Sequence, residues 1–160
     1  GGGGANNKPL RGGKAQMWEG GLRVPMIARW PRRIPKGRTI GGFAATMEFF
    51  PTFLAVAGAA PPAGVKLDGF NLQPVLEGKE QPRRQECFWQ RGNDKAARVG
   101  RWKWVDSALG SGLFDLSSDI GETKDLSAER PDVLRQVQER WRAWRREMDE
   151  SEPRGPFRDY

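Results

Sequence analysis

Histidine is missing from the 160 residues, and cysteine occurs once, at Cys87. The chain therefore offers no imidazole for acid–base work, no zinc site of the Cys/His kind and no internal disulfide. No run of about 18 apolar residues is present, so nothing reads as a membrane-spanning helix. The glycine-rich, polar start does not read as a signal peptide, and localisation stays open between periplasm and cytoplasm. Acidic residues are scarce at one end: residues 1–40 hold nine Lys/Arg against Glu19 alone, whereas the remainder holds 18 basic and 19 acidic residues. The net charge of +7 is thus concentrated in the first quarter. That quarter wants an anionic partner, which could be nucleic acid, an anionic substrate or an acidic portion of the same protein.

What is present is enough apolar material for one modest core. The first 21 residues read as loop. Residues 22–30, LRVPMIARW, put Leu22, Val24, Met26, Ala28 and Trp30 on one side by period-two alternation, which predicts an edge-like strand interrupted by Pro25. A helix is expected over 46–57, with Pro51 in its first turn and Gly58 as its cap. A proline- and glycine-punctuated stretch follows, and a boundary is expected near residues 79–84, dividing the chain into 1–80 and 81–160.

Beyond that boundary, the short runs 85–91, 96–100, 101–105 and 112–116 predict an antiparallel meander. Trp102 and Trp104 fall on one face of their strand, with Arg101, Lys103 and Val105 on the other, as in a sheet covered on one side. The cover is expected from a helix over 131–149. Pro131 and Asp132 suit its first turn, and Leu134, Val137, Trp141, Trp144 and Met148 line one stripe. Residues 151–160 read as an extended tail.

The stretch RGGKAQMWEGGLRVP, residues 11–25, concentrates glycine around Lys14 and Glu19. Flanking glycines let a backbone turn sharply and present an ammonium to an anion, yet a lysine in such a loop is equally a solvated bystander. Glu19 and Arg23 read as a structural ion pair beside the glycine turn.

A longer pattern narrows these readings. GGKAQMWEGGLRVPMIARWP resembles the sulfatase stretch that reads Gly-Lys, a few residues, Glu-Gly-Gly-x-Arg-Val-Pro and then Trp-Pro. MEFFPTFLAVAG, LDGFNLQPVLEG, ARVGRWKWV and LFDLSSDIGETKDLS resemble further segments of that family, in family order. Glu48, Ile120 and Asp125 depart from the usual aspartate, proline and asparagine, outside the expected chemistry. The chain is thereby identified as a member of the type I, formylglycine-dependent sulfatases of the alkaline-phosphatase-like superfamily.

The resemblance implies an α/β fold: the end of a large alkaline-phosphatase-like domain over 1–80, then a small antiparallel sheet packed by one carboxy-terminal helix over 81–160. It implies hydrolysis of a sulfate ester, with Lys14 holding a sulfate oxygen and Glu19, Gly20, Gly21, Arg23 and Pro25 shaping the turn that aims it. Gln90, Arg91 and Asn93, in the polar loop after the first small-domain strand, would face the substrate at the pocket rim, or else form a solvated hairpin. Calcium and the formylglycine nucleophile are implied for the whole enzyme. Their Asp-Asn ligands and Cys/Ser-x-Pro/Ala-x-Arg motif do not occur here and are expected before Gly1, in a missing amino-terminal portion, so these residues alone are expected to be inactive. Two rival readings are a phosphodiesterase or phosphonate hydrolase of the same superfamily and a basic nucleic-acid-binding module. The sulfatase reading expects neither a nucleic-acid nor a membrane partner.

Overall fold

In the computed structural model residues 6–151 are described, and by their contacts they fall into two units. The described residues up to Val24 and from Glu86 onward form one unit, and Pro25–Gln85 form the other. The sequence boundary near 79–84 lies close to one edge of this division. The described residues of the opening segment share a unit with the sheet, where their apolar side chains Met17 and Trp18 are buried.

The first unit is built on four strands, β1 (Glu86–Arg91), β2 (Asp94–Val99), β3 (Trp102–Ser107) and β4 (Gly110–Asp115), paired antiparallel in chain order. The register sets Ala97 opposite Trp104 and Trp104 opposite Leu113. Those three side chains face the helix α4 (Pro131–Ser151), whose Val133, Val137 and Trp141 complete a buried cluster. Leu134 and Trp144 pack at its margin. Trp141 meets Trp104 edge-on at 5.9 Å between ring centroids and donates its indole N–H to the Trp89 carbonyl at 3.2 Å. The predicted stripe is thus the packing face of α4, as the 3.6-residue period requires.

The sheet is covered on both sides, which corrects the expectation of a single cover. Ala96, Val105 and Phe114, one residue out of phase with the first cluster, pack against Met17 and Trp18. Trp18 meets Phe114 edge-on at 5.7 Å. These residues precede and enter a one-turn helix, α1 (Glu19–Leu22). Strand alternation put Lys103 on the face taken to be open, yet its side chain is fully buried there.

In the second unit, a 3-10 turn (Thr46–Glu48) leads into α2 (Phe49–Val56), and Gly58 follows at φ +68°, the left-handed conformation of a helix cap. Thr52 donates its hydroxyl to Glu48 O at 2.6 Å and accepts the Leu72 N–H at 2.8 Å, tying α2 to α3 (Gln73–Leu76). Buried Glu48 pairs with Arg84, Nε to Oε1 at 2.6 Å, so this departure from the family aspartate is a core ion pair. The strand expected over 22–30 does not form. Leu22 ends α1, Pro25 has no N–H to give a ladder, and Ile27 is 95% exposed. The alternation there comes from apolar residues that no neighbouring strand pairs. The tail expected beyond Ser151 lies outside the described residues.

Candidate functional site

Lys14 occupies the corner of a turn spanning 13–16, closed by the Gln16 N–H on the Gly13 carbonyl at 3.1 Å. The Gln16 side chain closes the same turn from the other direction, its Oε1 accepting the Gly13 N–H at 2.9 Å. Ala15 sits at φ +71°, a left-handed conformation that a non-glycine residue adopts only when its surroundings impose it. Lys14 itself is exposed, and among the described residues its ammonium has no hydrogen bond or ion pair.

The rest of the glycine-rich stretch holds this turn. Gly20 donates its N–H to the Arg11 carbonyl at 2.8 Å, and a Cβ there would lie 2.4 Å from Gly12 O. At Gly21 a Cβ would lie 2.2 Å from Gln16 O and 2.4 Å from Gly13 O. The Glu-Gly-Gly sequence is therefore a packing requirement, since only hydrogen at both positions lets α1 lie flat against the backbone of the Lys14 turn. Asn7 braces the same contact, donating to Gly12 O and Gly20 O, each at 3.1 Å. Arg11 stacks over Trp18 with its guanidinium carbon 3.6 Å from the ring centroid, and donates to the Glu122 carbonyl at 3.0 Å.

Beneath α1 lies a charged cluster that the sequence reading did not find. Lys103 Nζ on β3 stands 2.8 Å from Glu19 Oε1 and 3.0 Å from Glu122 Oε1. Glu122 Oε2 accepts the Glu19 N–H at 2.6 Å, while its Oε1 faces the ammonium without hydrogen-bond geometry. Burial pushes the Glu122 carboxyl up from its usual range, against the charge of Lys103. The loop that carries Glu122, at φ +53°, is shaped by its own carboxylates. Asp119 accepts the Thr123 and Lys124 N–H groups at 2.7 and 2.8 Å, and Asp125 accepts those of Leu113 and Ser127 at 3.0 and 2.9 Å. Arg23, read as the partner of Glu19, stands 3.9 Å away with a half-exposed side chain; the close partner is Lys103. A signal was available, because a lysine on the face of β3 opposite two tryptophans needs an acid if that face is covered.

Of the predicted rim residues, Arg91 is the one brought to the Lys14 turn, donating from Nη1 to the Ala15 carbonyl at 2.8 Å. Gln90 turns back on its own hairpin, to Gly92 O at 3.1 Å, and Asn93 is exposed at the hairpin tip. Pro25 is exposed at the start of the second unit. Cys87 is buried in β1. Six of the seven tryptophans are poor stacking platforms for bases: Trp18, Trp104 and Trp141 are buried, and Trp89, Trp102 and Trp144 pack against the two clusters. No helix among the described residues is long and apolar enough to cross a membrane.

The family described as "N-sulphoglucosamine sulphohydrolase, C-terminal" matches residues 13–147. Steryl-sulfatase of Homo sapiens is 49% identical over 78 residues, covering 49% of this chain and 13% of its own length. A sulfatase of Formosa agariphila is 31% identical over 166 residues, covering 87% of this chain and 30% of its own length. The crystal structure of Ps i-CgsB in complex with k-i-k-neocarrahexaose superposes with a TM-score of 0.77 at 32% identity, over 88% of this chain and 32% of that one. The chain thus spans less than a third of the length of these relatives. With the Gly-Lys turn and the Glu-Gly-Gly helix built as described and the match running through both, the chain belongs to the sulfatase family, in the part described by its N-sulphoglucosamine sulphohydrolase C-terminal model.

Proposed function

We propose that these residues are the carboxy-terminal part of a sulfuric ester hydrolase and that Lys14 holds a sulfate oxygen of its substrate. The observation that carries the proposal is an exposed ammonium, unpaired among the described residues, on a turn braced by Gly20, Gly21 and Asn7. A lone solvated lysine needs no such scaffold. A sulfate ester spreads negative charge over its oxygens, and a cation fixed in place before binding stabilises that charge without reorganising. Glu19 supports the site through Lys103 and Glu122, and Gly20 and Gly21 through close approach. Arg23 and Pro25 carry the chain away from the turn. Gln90 and Asn93 form the outer rim on the neighbouring hairpin, where Arg91 reaches the turn.

In the whole enzyme a formylglycine would supply the nucleophile and calcium would polarise the ester. Among the described residues no group of three or more His, Cys, Asp and Glu could hold a metal ion, and buried Cys87 is followed by Phe88, Trp89 and Gln90, not by the formylglycine motif. The chemistry assigned to these residues is therefore binding and charge stabilisation.

The test is turnover of a chromogenic aryl sulfate and of sulfated sugars by the full-length enzyme and its Lys14→Ala variant. Support requires sulfate release that falls at least about tenfold on substitution. Hydrolysis of phosphate diesters with no sulfate release would replace the reading.

A further inference from the structure

We propose that Arg91 is a positioning residue for Lys14, acting on the turn's backbone and not on the substrate; this rests on the reading of Lys14 as the sulfate ligand. Three observations converge. The Arg91 guanidinium, at the end of β1, donates to the Ala15 carbonyl at 2.8 Å, across 76 residues of sequence. Ala15, next to Lys14, is held at φ +71°. Among the described residues this is the one side-chain hydrogen bond that Arg91 makes, so its guanidinium serves no other anchor.

A left-handed alanine persists only where the surroundings over-determine it. The Gln16 bonds close the turn from within but leave the Ala15 carbonyl to Arg91. Arginine suits this role because its charge strengthens the bond to a carbonyl and its planar fork keeps direction. Removing it would free the Ala15 peptide to rotate, and Lys14 would move with it. A displacement of about 1 Å at a binding group is enough to cost large factors in rate.

The experiment pairs two readouts on the full-length enzyme. Hydrogen exchange at the Gln16 amide, which closes the turn, is followed in wild type and Arg91→Ala. Exchange should quicken about tenfold, with the melting temperature unchanged. In parallel, kcat/KM on an aryl sulfate is measured for Arg91→Ala, Lys14→Ala and the double variant. Arg91→Ala should lose about tenfold alone but less than about twofold in the Lys14→Ala background, since a residue acting through Lys14 has nothing left to position. A full tenfold loss in that background would make Arg91 a direct substrate contact and overturn the proposal, as would unchanged Gln16 exchange. If Gln16 exchange responds while Lys14→Ala leaves sulfate release intact, the clamp stands and the role given to Lys14 fails.

Discussion

Lys103 on β3 donates to Glu19 on α1 across 2.8 Å, with side-chain exposures of 0% and 5%. This bond joins the sheet to the helix that supports the Lys14 turn. With Glu122 also within 3.0 Å, one ammonium offsets two carboxylates out of water. Removing a single partner of such a cluster leaves uncompensated buried charge. Lys103→Met should therefore destabilise by about 3–5 kcal/mol in denaturant unfolding. Arg23→Ala, at a half-exposed group 3.9 Å from Glu19, should change stability by less than about 1 kcal/mol.

The same cluster sets a pH dependence. Burial raises the Glu122 carboxyl above its ordinary 4.5, so the folded state binds that proton more tightly than the unfolded one. Its contribution to stability is then greatest at low pH and declines as pH rises from about 4.5 through the raised value. Glu122→Gln cannot ionise. Its stability relative to wild type should improve as pH rises over that window, which thermal melts across pH 4–8 would show. A difference that stays flat with pH would remove Glu122 as the titrating group.

Gly20→Ala is predicted to act on the turn first. The new Cβ would come within 2.4 Å of Gly12 O and 2.6 Å of Arg11 O, both backbone atoms that cannot swing aside. Sulfate release should fall at least about tenfold, while the sheet keeps its circular dichroism. Full activity would mean that α1 need not lie against the turn.

Trp141→Ala should cost roughly 3–5 kcal/mol, from lost burial and the cavity left against Trp104. Chemical denaturation with an unchanged m-value checks it. A cost under about 1 kcal/mol would mean that α4 does not close this face.

Much of this architecture was legible because period and pattern are local properties. The meander follows from short apolar runs between turn residues, and α4 from one stripe, since each element buries a face that its own spacing declares. The cover on the second face was not legible. Met17, Trp18 and Glu19 sit some 80 residues from Lys103, and nothing in either segment's period says that they meet. Residues 22–30 misled for the converse reason: alternation declares a face but not a neighbour to pair with, and Pro25 withholds the ladder donor. In the site, Lys14 and its glycines stood out through a resemblance, and Gly20 and Gly21 acquire a steric reason from the structure. The polar loop is enough to suggest Arg91 near the site, but its bond to Ala15 depends on a fold-level approach.

The most direct test of the central claim is kcat/KM for a sulfate ester with full-length Lys14→Ala, measured beside its melting temperature. Lys14 is exposed, so if it holds the sulfate its loss should matter to reaction and not to folding. The prediction is a loss of at least about tenfold, equal to about 1.4 kcal/mol of transition-state stabilisation, with the melting temperature unchanged. Undiminished turnover by that variant would contradict the account.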